Sequence, residues 1–196
     1  GSYRSLVLED ENTDFIFGDG NNTYTSDNFW VLSVERARYK EKLFPGTFNI
    51  SLSGSGGTLH LTDNSNDVLV QSFIGSTLVY QVVSGSNGSA HSGDGYVTNS
   101  GSYGLFLPEL GTIMLNPAAI SQSIQVDVSR TNGTDAGNED TLYDSFNLGA
   151  LFQLNAEETI TSDYIFINTK ASEFNYSENP SFISGSTGEV IYDVFI

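Results

Sequence analysis

Four cations stand on alternate residues of the segment SVERARYKEKLFPG, residues 33–46: Arg36, Arg38, Lys40 and Lys42. Side chains two apart share one face of a β-strand. The spacing therefore predicts a cationic row on a strand over residues 31–44, with Glu35, Ala37, Tyr39 and Glu41 on the other face. A helix would set Arg36 above Lys40 and Arg38 above Lys42, like charges at i,i+4, and no apolar stripe of period 3.6 is there to hold it. Two chemistries are open to such a row. It can be a solvated edge whose charges discourage unwanted strand pairing. It can also be a docking ribbon, because arginine holds a carboxylate through two parallel hydrogen bonds. The chain has 24 acidic residues against 7 basic ones, a formal net charge of −17, so a second copy or a neighbouring subunit would supply the acidic surface.

The other reactive residue types form no catalytic pattern. His60 and His91 lie far apart in sequence, and neither has an acid at metal-ligand spacing. His60 sits in TLHLTD, on the face opposite Leu59 and Leu61. Nucleophile elbows, phosphate loops and zinc patterns are missing, and GSGG and GDG are too short to cradle a phosphate. Carboxylates gather at Asp63 and Asp67 in DNSND, and at Asp135, Glu139, Asp140 and Asp144. The alternating Asp, Ser and Asp oxygens of DNSND resemble the start of a calcium loop, but the glycine and distal glutamate of an EF-hand are missing; an Asx-turn is the simpler reading. A glycosidase needs two carboxylates across a cleft, a pairing that sequence cannot supply. The expectation is a protein that is not an enzyme and carries no cofactor and no metal.

The surrounding elements are those of an all-β protein. Of the 196 residues only 16% are charged; Gly, Ser, Thr and Asn are abundant, and 13 Phe and 10 Tyr stand beside a single Trp. The predicted fold is an antiparallel β-sandwich with one or two short helices, a single β-rich domain over residues 1–196. Strand patterns are read in TFNISLS, with Phe48, Ile50 and Leu52 on one face, and in TLHLTD, VLVQSFIG, TLVYQVVSG, the two runs around LPELG, SIQVDVSR, and the stretch from ALFQLN to INTK. Pro117 opens a predicted helix in PAAISQ, and Asp140 is placed as the N-cap of a helical turn carrying Leu142 and Phe146. The apolar ending GEVIYDVFI predicts a paired or covered terminal strand and a chain that is part of a longer polypeptide.

Composition also narrows the partners. The acid excess disfavours nucleic acid and anionic membranes. The lack of cysteine fits assembly in a reducing cytoplasm, or a bacterial or viral surface. Five N-x-S/T sequons occur, at Asn21, Asn49, Asn87, Asn132 and Asn175, and the strand position of Asn49 argues against a glycan there.

The segments NFWVLSVERARYKEKLFPGTFNISLSG, LTDNSND, SGSYGLFLPELGTIMLNPAAIS and EFNYSENPSFISGSTGEVIYDVFI together resemble a large virion structural protein of T-even-like myoviruses infecting marine cyanobacteria. The resemblance implies a tail or baseplate component, assembled in the host cytoplasm and oligomeric in the particle. Its partners would be other virion proteins or copies of itself, and it carries no catalytic residues. Arg36, Arg38, Lys40 and Lys42 are then the candidate partner-docking residues. The rival reading is an extracellular or virion adhesin domain that binds host-surface glycans through exposed aromatics in one groove, with a carbohydrate-active enzyme as a third.

Overall fold

A computed structural model of the chain describes residues 2–18, 23–26, 28–91, 99–126, 138–167, 183–184 and 189–190. It divides into two compact units, Gly1–Thr159 and Ile160–Ile196. The first unit is all-β and sandwich-like, built on one curled, half-barrel antiparallel sheet. The strands of that sheet are β3 (Trp30–Ser33), β5 (Asn49–Gly54), β6 (Gly57–Asp63), β7 (Ser72–Ile74), β8 (Thr77–Ser86), β9 (Ser89–Ala90), β10 (Gly104–Leu107), β11 (Thr112–Leu115) and β12 (Leu151–Gln153). The main path runs β12-β5-β6-β8-β10-β11-β3, and β7 and β9 also pair with β8. Outside it lie the hairpin of β1 (Phe15–Phe17) with β2 (Tyr24–Ser26), and the pair of β4 (Lys42–Leu43) with β13 (Ala156–Glu157). The helices are α1 (Ser2–Leu8), α2 (Pro117–Ile124), α3 (Asn138–Gly149) and a 3-10 turn, η1 (Arg36–Arg38).

The strands β10 and β11 are buried at every position because both faces of the sheet are covered there. Alternate residues go to two separate cores. Leu78, Tyr80, Val82, Phe106, Ile113 and Leu115 join Phe48, Ile50, Leu52 and Leu61 in the larger one, closed by Ile120 and Ile124 of α2 and Leu142 of α3. Val79, Leu105, Leu107 and Met114 point the other way, against Val7 of α1 and Phe15 and Phe17 of β1. Gly104 holds β10 close to β11: a Cβ there would run into the Met114 carbonyl oxygen. Helix α3 packs on β5, where Gly149 lies directly against the Ser51 carbonyl and leaves no space for a side chain.

Tyr103 ties α2 to the sheet. It is buried, and its hydroxyl hydrogen-bonds Ser123 Oγ at 2.8 Å. Burial raises its phenol pKa, and the bond to Ser123 offsets this in part. A raised folded-state pKa means that stability present below the unfolded value, about 10, is lost as pH rises from there through the folded value. Ultraviolet titration should show a tyrosine step above the usual phenol range, and Tyr103→Phe should remove that step.

Several strand expectations need correction. The segment over residues 31–44 is not one strand: β3 ends at Ser33, η1 follows, and only Lys42–Leu43 pairs again. In VLVQSFIG only Ser72–Ile74 is strand, and Leu69 and Val70 are exposed, at 102% and 79%. Ser123 and Ile124 of SIQVDVSR close α2, and Gln125 takes a left-handed cap at φ 54°; residues 127–130 lie outside the described set. Asp140 lies within α3, which begins at Asn138, so it is not the N-cap. Among the described residues from ALFQLN to INTK, only β12 and β13 are strands.

The second unit is described over residues 160–167, which form no regular element, and over β14 (Ile183–Ser184) paired antiparallel with β15 (Glu189–Val190). Val190 of the predicted terminal strand is thus paired with Ile183, and residues 191–196 lie outside the described set.

Candidate functional site

The four cations follow β3, and two contacts at i,i+3 decide their arrangement. The Arg36 guanidinium lies 4.4 Å from the centroid of the Tyr39 ring, and Arg38 pairs with Glu35 at 3.6 Å. Both contacts need a helical turn, since a strand would put residues three apart on opposite faces. Arg36 also donates to the carbonyl oxygens of Tyr39, at 3.2 Å, and Glu41, at 3.4 Å. Tyr39 is buried under Gly111, so Arg36 acts as a cover over a core side chain.

Beyond η1 the cations meet carboxylates of the same chain. Lys40 Nζ lies 2.7 Å from Glu158 Oε1, and Lys42 Nζ lies 3.5 Å from Glu157 Oε2. Glu41 accepts hydrogen bonds from the Thr159 amide and hydroxyl. With the β4–β13 pairing these contacts bind residues 40–43 to residues 156–159. A basic ribbon does meet an acidic strip here, and the strip belongs to its own polypeptide. Arg38 keeps an exposed side chain, at 75%, alongside Lys40 at 74%.

These contacts differ in energy. Arg36→Ala should cost about 1–2 kcal/mol, through the lost ring contact and two lost carbonyl partners. Arg38→Ala should change stability by less than about 0.5 kcal/mol, as exposed pairs do. Urea unfolding of both variants checks the contrast.

The carboxylates of DNSND are engaged by backbone amides. Asp63 is fully buried; both its oxygens accept from the Gly46 amide and one also from Ser65 N at 3.0 Å, the Asx-turn geometry. Asp67 accepts from the Ala90 amide. Among the described residues no three His, Asp or Glu side chains are grouped for a metal, and no helix is long and apolar enough to cross a membrane.

The two histidines, distant in sequence, come together, with ring centroids 6.5 Å apart. His60 Nδ1 lies 2.7 Å from Ser51 Oγ, but Ser51 is buried, so the pair has the distance of a Ser–His dyad without access for a substrate. Of the sequons, Asn49 is buried with its side chain bonded to Asn87, which leaves no room for a glycan; Asn21, Asn132 and Asn175 lie outside the described residues.

A groove of about 460 Å³ opens between β3 and α3. Trp30, Val31 and Leu32 line one wall, and Glu139, Asp140 and Tyr143 the other. Sequence reasoning missed it, because its two walls are far apart in the chain. It also missed Tyr39 as the partner of Arg36, although R-x-x-Y is an i,i+3 signal.

The chain matches no family model, no curated protein and no solved structure.

Proposed function

We propose that this protein is a structural subunit of a bacteriophage virion, of the tail or baseplate kind, that works through protein–protein contacts. The observation that carries the reading is apolar surface left in water on the first unit. Leu69, Val70 and Phe73 are exposed beside β8, and Leu148, Leu151 and Phe152 are exposed around β12. Clustered apolar side chains of this size are what a neighbouring subunit covers. The resemblance to cyanobacterial myovirus virion proteins supplies the setting. The basic segment adds to it through Arg38, whose side chain is 75% exposed and whose carboxylate partner, Glu35, is itself 71% exposed.

Particle incorporation is the test. Leu69→Asp with Val70→Asp should leave the isolated chain as stable as before, within about 0.5 kcal/mol, since both side chains are already in water. The same variant should be depleted from purified particles, as quantified by mass spectrometry. Normal incorporation would refute that surface as a contact, and absence of the native chain from particles would refute the virion reading.

A further inference from the structure

The groove beside β3 carries a second feature besides its volume. Val34 N donates to Gly111 O, and the β3–β11 register continues from that pair. In an antiparallel ladder the hydrogen-bonded pairs alternate, so Leu32 and Trp30 face β11 with their backbone groups while Val31 and Ser33 turn theirs outward. β3 ends the sheet path, and among the described residues nothing pairs with those outward amides and carbonyls. An open strand edge thus forms one wall of a groove whose other wall is a helix. That is the geometry in which an extended peptide adds a strand and places alternate side chains in the groove.

The chemistry of the walls selects the occupant. The charged side chains lining the groove are Glu139 and Asp140, both exposed, so the favoured ligand is cationic. A second copy of this chain, at a formal charge of −17, is disfavoured. A saccharide would want flat aromatic faces, but Trp30 and Phe146 pack against the larger core, which leaves Tyr143, 65% exposed, as the open ring.

We propose that the groove between β3 and α3 is a strand-addition site for an extended segment of another polypeptide that alternates apolar residues with lysine or arginine. The inference rests on the assembly reading and names the kind of contact involved.

The chain contains a single tryptophan, and it lines this groove, so its fluorescence reports occupancy directly. The probe is a blocked hexapeptide of alternating valine and lysine, titrated against the full chain. The expected result is a saturable shift of Trp30 emission, with the Val31 and Ser33 amides exchanging at least about tenfold more slowly in the complex. A peptide with glutamate in place of lysine should bind at least about tenfold more weakly, and Glu139→Lys with Asp140→Lys should reverse that preference. Val31→Pro removes an outward N–H and leaves the β11 ladder intact, so it should abolish binding without changing the melting temperature by more than about 3 °C. No saturable shift at millimolar peptide would overturn the proposal. So would a neutral oligosaccharide that shifts Trp30 emission while the two amides stay unprotected. Particles that contain the chain although it fails to bind peptide would sink the groove and spare the virion reading; binding by a chain absent from particles would do the reverse.

Discussion

Phe106→Ala should destabilise the protein by about 3–5 kcal/mol, the largest loss expected from any single truncation in the sheet. Phe106 is fully buried at the centre of β10, and its ring stacks on Phe48 with centroids 5.4 Å apart and planes 15° from parallel. Phe48 immediately precedes β5, which is not a neighbour of β10, so the rings bridge the start of β5 to β10 across β6 and β8. Truncation removes a ring's worth of buried apolar area and leaves a cavity that the flanking strands, held by ladders on both sides, cannot close. Urea unfolding measures the loss. A double-mutant cycle of Phe48→Leu and Phe106→Leu should give a coupling of about 0.5–1.5 kcal/mol for the stacking itself. A loss below about 1.5 kcal/mol for Phe106→Ala would mean that the core relaxes into the space.

Asp63→Ala should be nearly as damaging, at about 3 kcal/mol, or a melting temperature lower by about 6–12 °C. The carboxylate accepts the amides of Gly46 and Ser65, so alanine orphans both donors at the point where the 45–46 turn meets β6. Asp63→Asn keeps one acceptor and should lose less. Calcium should leave the melting temperature unchanged, because the oxygens a cation would need are already taken by N–H groups. A calcium-dependent rise in melting temperature that Asp63→Ala abolishes would contradict this account.

Local pattern revealed what is locally caused. The alternation of Phe48, Ile50 and Leu52, the glycine-rich turn, and Leu59 and Leu61 spell out the β5–β6 hairpin, and Pro117 marks the start of α2. Between these, Asn49 and Ser51 read as a solvent face, yet both are buried: Asn49 bonds Asn87 just past the far end of β8, Ser51 bonds His60, and β12 returns from a hundred residues away to pair along β5. Leu69 and Val70 show the reverse failure: apolar residues look like strand whether a partner covers them or water does. At the basic segment, period two competed with the i,i+3 contacts of Glu35 with Arg38 and Arg36 with Tyr39, and the contacts won, since a buried aromatic under a guanidinium outweighs solvated spacing. The groove was illegible because Trp30 and Tyr143 meet only after the sheet has curled.

The register of β3 against β11 also sets an order of events in time. Trp30–Ser33 is made before its ladder partner among the described residues, Thr112–Leu115, which lies roughly 80 residues downstream and at about 5–20 residues per second follows some 4–16 s later. For that interval a strand of Trp, Val and Leu waits without its mate. Arg36, Arg38, Lys40 and Lys42 follow it within ten residues, and charges so placed are of the kind that keep an unpaired strand from associating with its like. Whatever these cations do in the finished molecule, they are on hand from the moment the nascent chain needs them.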